Sequence, residues 1–315
     1  ERMIMIPAHA WTPWFGIFGS KGGYNNLEEA FEELTPHIFA IETGLSSDPK
    51  MNWRCSMLDN ISLVSNSDAH SCAKIGREAN VLQFVDDKEI TYDNIFGIIK
   101  NSRKNILDNP GDHSDLCSKK NNNTQISKIL QIDQDNENRF LYTIEFFPEE
   151  GKYFYDGHRD CKFVCPPEET QKLKGICPVC KKTLVIGVEN RVVELSDRTW
   201  AEVEKIKNNF IPYRSLIPLP EIIADAFDCG VSSKKVITQY NNLIEKLGNE
   251  FSILLDKDLT EIEKQSESII AQAIGRVRAG NIFVQPGYDG EFGVVKVFSD
   301  RVDRGISEQI GMKLE

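Results

Sequence analysis

The sequence predicts an α/β region with parallel strands, then a small β region built around a metal cluster, then a mainly helical region. Three observations predict this. Short apolar runs alternate with amphipathic stretches as far as Pro110. Four of the eight cysteines fall within residues 161–180, between strand-like runs. After Pro220 the apolar residues recur at helical spacing, with capping residues at the ends. The boundaries expected are 1–112 for the α/β region, 113–138 for a linker or insertion, 139–198 for the metal region, and 199–315 for helices ending in a hairpin.

In the first region, MIMIPA (3–8), HIFAIE (37–42) and ISLVS (61–65) read as strands. LEEAFEEL (27–34) and Asp93–Ile106 read as helices with one apolar face. The stretch SKKNNNTQ (118–125) is polar and low in complexity, as a linker or loop is. Next, FLYTIEFF (140–147) reads as a strand paired with KYFY (152–155), TLVIGV (183–188) as another strand, and RVVELSDR (191–198) as a short helix. The last region predicts a helix after Pro220, a helix over 232–248 with a Ser start and a Gly stop, one long helix over 259–280, and a hairpin turning at Tyr288-Asp289-Gly290.

Of 315 residues, 40% are apolar and 27% charged, which excludes a disordered chain. No apolar run is long enough to span a bilayer as a helix, and no signal peptide is visible, so a membrane partner is not expected. The net charge of −11 argues against a generally basic nucleic-acid binder, but residues 151–215 carry 12 Lys+Arg against 9 Asp+Glu. A local basic face can hold a phosphate backbone, since charges act over about 8 Å at physiological salt.

The pattern His158-x2-Cys161-x3-Cys165-x11-Cys177-Pro-Val-Cys180 has the spacing of a structural zinc site. Two thiols two residues apart reach one ion from a tight turn, and two such turns close a tetrahedron. Cys161, Cys177 and Cys180 are expected ligands. Cys165 is favoured as the fourth, with His158 as the alternative. A closed set of four leaves no open position, so its expected role is to hold a small fold.

In the first region, three predicted strands end in residues of metal-ligand type: His9, Glu42, and Asp68 with His70. In α/β barrels functional residues gather at the C-terminal ends of strands. Carboxylates and imidazoles there suit zinc, manganese or iron ions acting on a phosphodiester.

The phrases PAHAWTPWFGIFGSKGGYNNLEEAF (7–31), AIETGLSSDP (40–49) and SDAHS (67–71) resemble the phosphoesterase domain of the PHP (polymerase and histidinol phosphatase) family. YDGHRDC (155–161), GICPVCKKTLVIGVENRVVELSDR (175–198), SLIPLPEII (215–223) and PGYDGEFGVVKVF (286–298) resemble the endonuclease Q family. That resemblance implies a distorted β/α barrel of PHP type, a cysteine zinc domain and a C-terminal helical domain. It implies a hydrolase that nicks DNA 5′ of deaminated bases such as uracil and hypoxanthine, or at abasic sites. Two or three divalent ions (Zn2+, Mn2+ or Mg2+) would serve catalysis, beside structural Zn2+ in the cysteine cluster. His9, Asp68 and His70 are the implied catalytic-metal ligands, with Glu42 beside the metals.

On this reading Trp11, Trp14 and Phe15 are candidates to stack on an extruded base. Lys21, in the turn Ser20-Lys21-Gly22-Gly23, and Arg276 and Arg278, near a helix end, are candidates to grip phosphate. A monomer in the cytoplasm, associated with the nucleoid, is expected, with a sliding clamp as a further candidate partner. PHP barrels begin with a His-x-His strand, and this sequence has none. The chain is therefore expected to start within the barrel and to lack a full catalytic metal set when alone. Two rival functions stand beside this one: a non-catalytic, zinc-stabilised nucleic-acid-binding protein, and a PHP phosphoesterase of a small phosphorylated substrate.

Overall fold

Nine short strands and a larger share of helix make up the computed structural model, which describes residues 3–108, 137–299 and 303. Most of the expected linker, 113–136, lies outside the described residues. Residues 3–108, 137–216 and 285–294 form one compact unit, and 217–284 with 295–299 and 303 form a second.

In the first unit, strand β1 (Ala40–Glu42) pairs in parallel with β2 (Ser62–Val64), in register Ala40 to Ser62. Both strands are buried along their whole length, as expected of a parallel pair covered on two faces. MIMIPA contributes one parallel bridge, Met5 to Ile38, and no strand. LEEAFEEL is helical only over Leu27–Phe31, capped by Asn26, and tightens into a 3-10 turn over Glu32–His37 that contains Pro36. Proline lacks the N–H that a continuing α-helix would need. The helix expected from Asp93 spans Tyr92–Asp108.

A three-stranded sheet follows, in the order β3 (Ala79–Gln83), β4 (Arg139–Glu145), β7 (Tyr213–Ser215). β3 is antiparallel to β4, and β4 is parallel to β7. The expected pairing of FLYTIEFF with KYFY does not occur: β4 takes β3 and β7 as neighbours, and Phe154 joins the core instead. That core centres on Trp11, Phe18, Ile41, Trp53, Val192, Val203 and Phe210.

The metal region is a small hairpin, β5 (Asp156–His158) with β6 (Phe163–Cys165). TLVIGV makes only single bridges, Ile176 to Thr183 and Gly157 to Val185, before the helix Val188–Leu195. Asp156 is fully buried and accepts the Gly187 N–H at 2.6 Å, which ties the hairpin to the start of that helix. A side chain at Gly187 would meet the Phe154 and Tyr155 carbonyl oxygens at 2.5 Å, so only glycine lets these backbones approach.

The second unit is helical: Leu219–Ala226, Lys234–Leu247, Leu259–Gln265 and Ser268–Arg278. Its core is Leu219, Ile222, Ile223, Leu243, Ile253, Ile262, Ile270 and Ile274, all buried. Ser233 caps the second helix through the Val236 N–H, and Gly248 ends it at φ 100°. The single helix expected over 259–280 is two, broken where Ser266 turns extended and its hydroxyl bonds the Ile262 carbonyl. β8 (Phe283–Gln285) and β9 (Val294–Lys296) form a two-stranded sheet, as the expected hairpin requires.

Candidate functional site

The hairpin β5–β6 carries the first candidate centre. His158 closes β5, and Cys161 ends the 3-10 turn that follows. Cys177 and Cys180 sit on a knuckle whose backbone closes through Lys181 N–H to Cys177 O (3.0 Å) and Cys177 N–H to Lys182 O (2.8 Å). The donor atoms of His158, Cys161, Cys177 and Cys180 all lie within 4.8 Å of one another. Burial pushes the Cys177 thiol up, but hydrogen bonds from the backbone amides of Cys180 and Val179 and from the Cys180 and Cys161 thiols together hold it below its usual range. Three thiols and an imidazole converging on one point are a donor set that fits a closed tetrahedral ion site.

Cys165, favoured from spacing, is not in this group. Its Sγ faces the Thr170 hydroxyl at 3.2 Å. The reason is the hairpin register: His158 pairs with Phe163 at one end, whereas Cys165 pairs with Asp156 at the other. His158 takes the fourth corner.

The strand-end residues form a second constellation. Glu42, buried at the end of β1, accepts the His9 N–H on Oε2 (2.6 Å) and the Asn66 amide on Oε1 (2.9 Å). Both of its oxygens therefore position other residues. The Thr12 hydroxyl donates to the His9 carbonyl at 2.5 Å and also lies 2.9 Å from His9 Nδ1. Since that hydroxyl has one proton, Nδ1 carries the hydrogen and Nε2 keeps its lone pair. His70 Nδ1 lies 2.9 Å from the Asp68 carbonyl, an acceptor only, so His70 Nε2 is likewise a lone-pair donor. In the neutral ring these contacts anchor Nδ1 and leave Nε2 as the atom that can ligate. His9 and Asp68 adopt left-handed backbone, at φ 33° and 43°. A side chain on Gly44 would come within 2.9 Å of the His9 Cα. Among the described residues, His9, Asp68 and His70 do not form a group of three close enough to share one ion, and the Cys/His cluster does.

Two carboxylates here went unnoticed in the sequence. Glu78 and Glu145 are buried, and Oε2 of the first and Oε1 of the second have no hydrogen-bond partner. Burial, then the charge of Glu145, pushes Glu78 up to about 9. Burial, with Asp48 adding to it, pushes Glu145 up to about 7, although Thr43 donates to it at 2.9 Å. The signal was available for Glu145, a lone acid inside the apolar run FLYTIEFF.

The loop after His9 separates its aromatics. Trp11 is fully buried and its indole donates to Asn52 at 2.7 Å, so it is core and not a stacking surface. Trp14 is half-exposed, edge-on to Tyr153. Phe15 is 96% exposed and left-handed, at φ 69°. Backbone bonds from Phe18 to Ala10, Lys21 to Pro13 and Gly23 to Gly19 cross the loop. Lys21 is exposed, and the Ser20 hydroxyl bonds the Ile186 carbonyl at 3.1 Å. The two C-terminal arginines are engaged inside the helical unit rather than directed outward as expected. Arg276 forms a double contact with Asp303 at 2.7 and 2.9 Å, and Arg278 donates to the Ile253, Leu254 and Lys257 carbonyls, each at 2.8 Å.

This arrangement has relatives. Residues 218–281 match the family model described as the MJ0043 C-terminal domain. The chain is 28% identical to the uncharacterized protein MJ0043 of Methanocaldococcus jannaschii, over 94% of this chain and 32% of that protein. It is 26% identical to the uncharacterized protein YqxK of Bacillus subtilis, over 93% of this chain and 61% of that one. A crystal structure of a lesion-specific endonuclease from Pyrococcus furiosus superposes with a TM-score of 0.72, at 26% identity, over 95% of this chain and 64% of that one. The fold is similar to that of endonuclease Q. A second endonuclease Q structure, bound to a 27-mer duplex with an abasic lesion at the active site, superposes with a TM-score of 0.69 at 25% identity, over 94% of this chain and 64% of that one. The chain thus spans less than two thirds of the length of these endonuclease Q chains and of both curated relatives. Among the described residues no helix is long and apolar enough to cross a membrane.

Proposed function

We propose that this chain is part of a metal-dependent DNA repair endonuclease that nicks the strand 5′ of deaminated bases, uracil or hypoxanthine, or at abasic sites. The observation that carries this reading is its likeness, over 94% of its length, to endonuclease Q held on an abasic duplex. On this reading the first unit is part of a PHP barrel, and His9, Asp68 and His70 are ligands of its divalent ions. The hydrogen bonds at Nδ1 of both histidines, which leave Nε2 of the neutral ring free to ligate, support that role. Among the described residues these three do not close a site together, and this chain by itself is expected not to nick. Its own residues position: Glu42 fixes the His9 backbone and Asn66. Trp14 and Phe15, both exposed on the cross-tied loop, are the aromatic surfaces this reading assigns to an unstacked base.

The ion of the Cys/His cluster is proposed to be zinc, which tetrahedral thiolate and imidazole donors suit. It would cross-link the hairpin to the knuckle and leave no position open for catalysis. Action at the nucleoid as a monomer, with a sliding clamp as partner, belongs to the same proposal.

The test is a nicking assay with manganese on duplexes bearing uracil, hypoxanthine or an abasic site, using the full-length gene product. Cleavage 5′ of the lesion, with undamaged duplex spared, is the expected result. Equal cleavage of undamaged duplex would overturn lesion specificity. Binding without cleavage would favour a zinc-stabilised binding protein, and release of phosphate from small esters alone would favour a small-substrate phosphoesterase.

A further inference from the structure

Glu78 and Glu145 face each other inside the first unit. The register that pairs Ala79 of β3 with Ile144 of β4 sets Glu78 opposite Glu145, and the Phe146 N–H donates to Glu78 Oε1 at 3.3 Å. Side chains alternate sides along a strand, so Asn80 and Thr143, themselves paired, share the face of the two acids. The residues that follow β1 and β2 close over this face. Thr43 donates to Glu145 Oε2 at 2.9 Å, and the Ser65 hydroxyl donates to the Ile144 carbonyl at 2.7 Å. Asn80 accepts the Ser65 N–H at 2.9 Å and donates to the Ser65 carbonyl at 2.8 Å.

This layer is buried and made of oxygen donors. Glu145 is 0% exposed, Thr143 1% and Glu78 3%. Among the described residues, Glu145 Oε1, Glu78 Oε2 and Thr143 Oγ1 have no hydrogen-bond partner. Burial dominates the Glu145 carboxyl, but the Thr143 and Ser65 hydroxyls act on it as well, which places both beside it. Like charges directly opposite on neighbouring strands repel, and burial removes the water that would screen them. The other charges that act on the pair do not offset it: Glu42 and Arg77 act on Glu78, and Asp48 acts on Glu145. Two further acids thus stand against one guanidinium. That guanidinium is engaged, with Nε donating to the Ser67 carbonyl at 2.9 Å and the group lying over the Phe146 ring. Two carboxylate oxygens and a hydroxyl, with no nitrogen or sulfur among them, are a donor set for a hard cation.

We propose that Glu78 Oε2, Glu145 Oε1 and Thr143 Oγ1 hold one hard divalent cation inside the first unit. Two carboxylates match its charge. The ion would tie the β3–β4 pair to the ends of β1 and β2, next to Glu42 through Thr43 and next to Asn66 through Ser65. Its donor atoms are buried, so it is structural and does not meet a substrate. The site is separate from the Cys/His cluster and does not depend on the DNA-directed reading. Without the ion, protons neutralise the pair instead.

The experiment measures uptake of calcium, manganese and magnesium, each alone, by equilibrium dialysis at about pH 8, where an ordinary carboxyl is ionised. It compares the zinc-loaded full-length protein with its Glu78→Gln/Glu145→Gln variant. The wild type is expected to take up one equivalent more of at least one ion than the variant does. At about a hundred times the dissociation constant, that ion should raise the melting temperature of the wild type by about 5–10 °C more than that of the variant. His9→Ala, which alters the strand-end site, should keep both effects. Thr143→Val, of the same shape without the hydroxyl, should bind the ion roughly tenfold more weakly, and it gives the reading if the double variant does not fold. Equal uptake by the wild type and the folded Gln variant would overturn the proposal. So would an equivalent lost in His9→Ala but kept in the Gln variant. Uptake of none of the three ions by the wild type would overturn it too, and would leave protons as the only neutralising partner of the pair.

Discussion

The backbone N–H of His9 lies 2.6 Å from Oε2 of Glu42, thirty-three residues away. With the Asn66 amide on the other oxygen, one buried carboxylate holds the segment that bears His9 against the end of β1. Glu42→Gln replaces one acceptor by a donor and leaves one of the two partner N–H groups facing an NH2. A loss of about 1–3 kcal/mol is expected, since a buried donor then goes unpaired. Urea denaturation at constant m-value checks it, and stability equal to wild type would mean that the bracket is not needed.

Stability should depend on pH through Glu78 and Glu145. Burial raises both in the folded state, from 4.5 to about 9 and about 7. A carboxyl raised on folding contributes stability that is fully present below its unfolded value and is lost as pH rises through the folded one. Stability is therefore expected to decline between about pH 4.5 and 9. Glu78→Gln, which cannot ionise, should flatten that decline. A wild-type curve that rises across this window would contradict the assignment.

Metal analysis separates the two cysteine readings. Cys161→Ser and Cys177→Ser should lose the bound ion, whereas Cys165→Ser should retain one equivalent, because its thiol faces Thr170 and not the cluster. Chelation should release the ion and expose three reactive thiols, which a thiol reagent counts. Loss of the ion in Cys165→Ser with His158→Ala still loaded would restore the all-cysteine set.

The aromatics after His9 should divide by burial. Trp11→Ala is expected to cost about 3–5 kcal/mol of stability, as removal of a buried aromatic does. Phe15→Ala should leave stability nearly unchanged, since the ring is exposed, while weakening the complex with a lesion duplex by about 1–3 kcal/mol through lost stacking. Thermal melts and binding titrations on the same preparations test the pair.

Arg276 should matter to folding. Arg276→Ala removes a double contact to Asp303 that holds that carboxyl down at about 2. A lowered melting temperature with unchanged DNA affinity is expected, and a large loss of affinity in a folded variant would return Arg276 to the phosphate contacts.

What the sequence made legible follows from how local each feature is. The helix Lys234–Leu247 was readable to within two residues because its start and stop signals, Ser233 and Gly248, are local. The metal cluster was readable because its spacing is local too. The choice of His158 over Cys165 was not, since it depends on the register of β5 against β6. Strand β3 and its place beside β4 were missed for the same reason: the partner is some sixty positions away. The break at Ser266 lay inside an unbroken helical pattern, and a back-bonded hydroxyl decided it. Trp11 and Phe15 looked alike in sequence, and only packing distinguishes core from surface.

Strand β4 has one further consequence. It is antiparallel to β3 on one side and parallel to β7 on the other, with Thr143 opposite Tyr213. During synthesis, the β3–β4 edge can form once residue 145 has left the ribosome, but the second edge of β4 waits for Tyr213–Ser215. Everything between, including the whole cysteine hairpin, must emerge first. Pairings this distant in sequence slow folding, because loop closure precedes any reward. Over that interval β4 offers an open row of backbone donors and acceptors, so the nascent chain is most prone to mispairing while the metal region is being made.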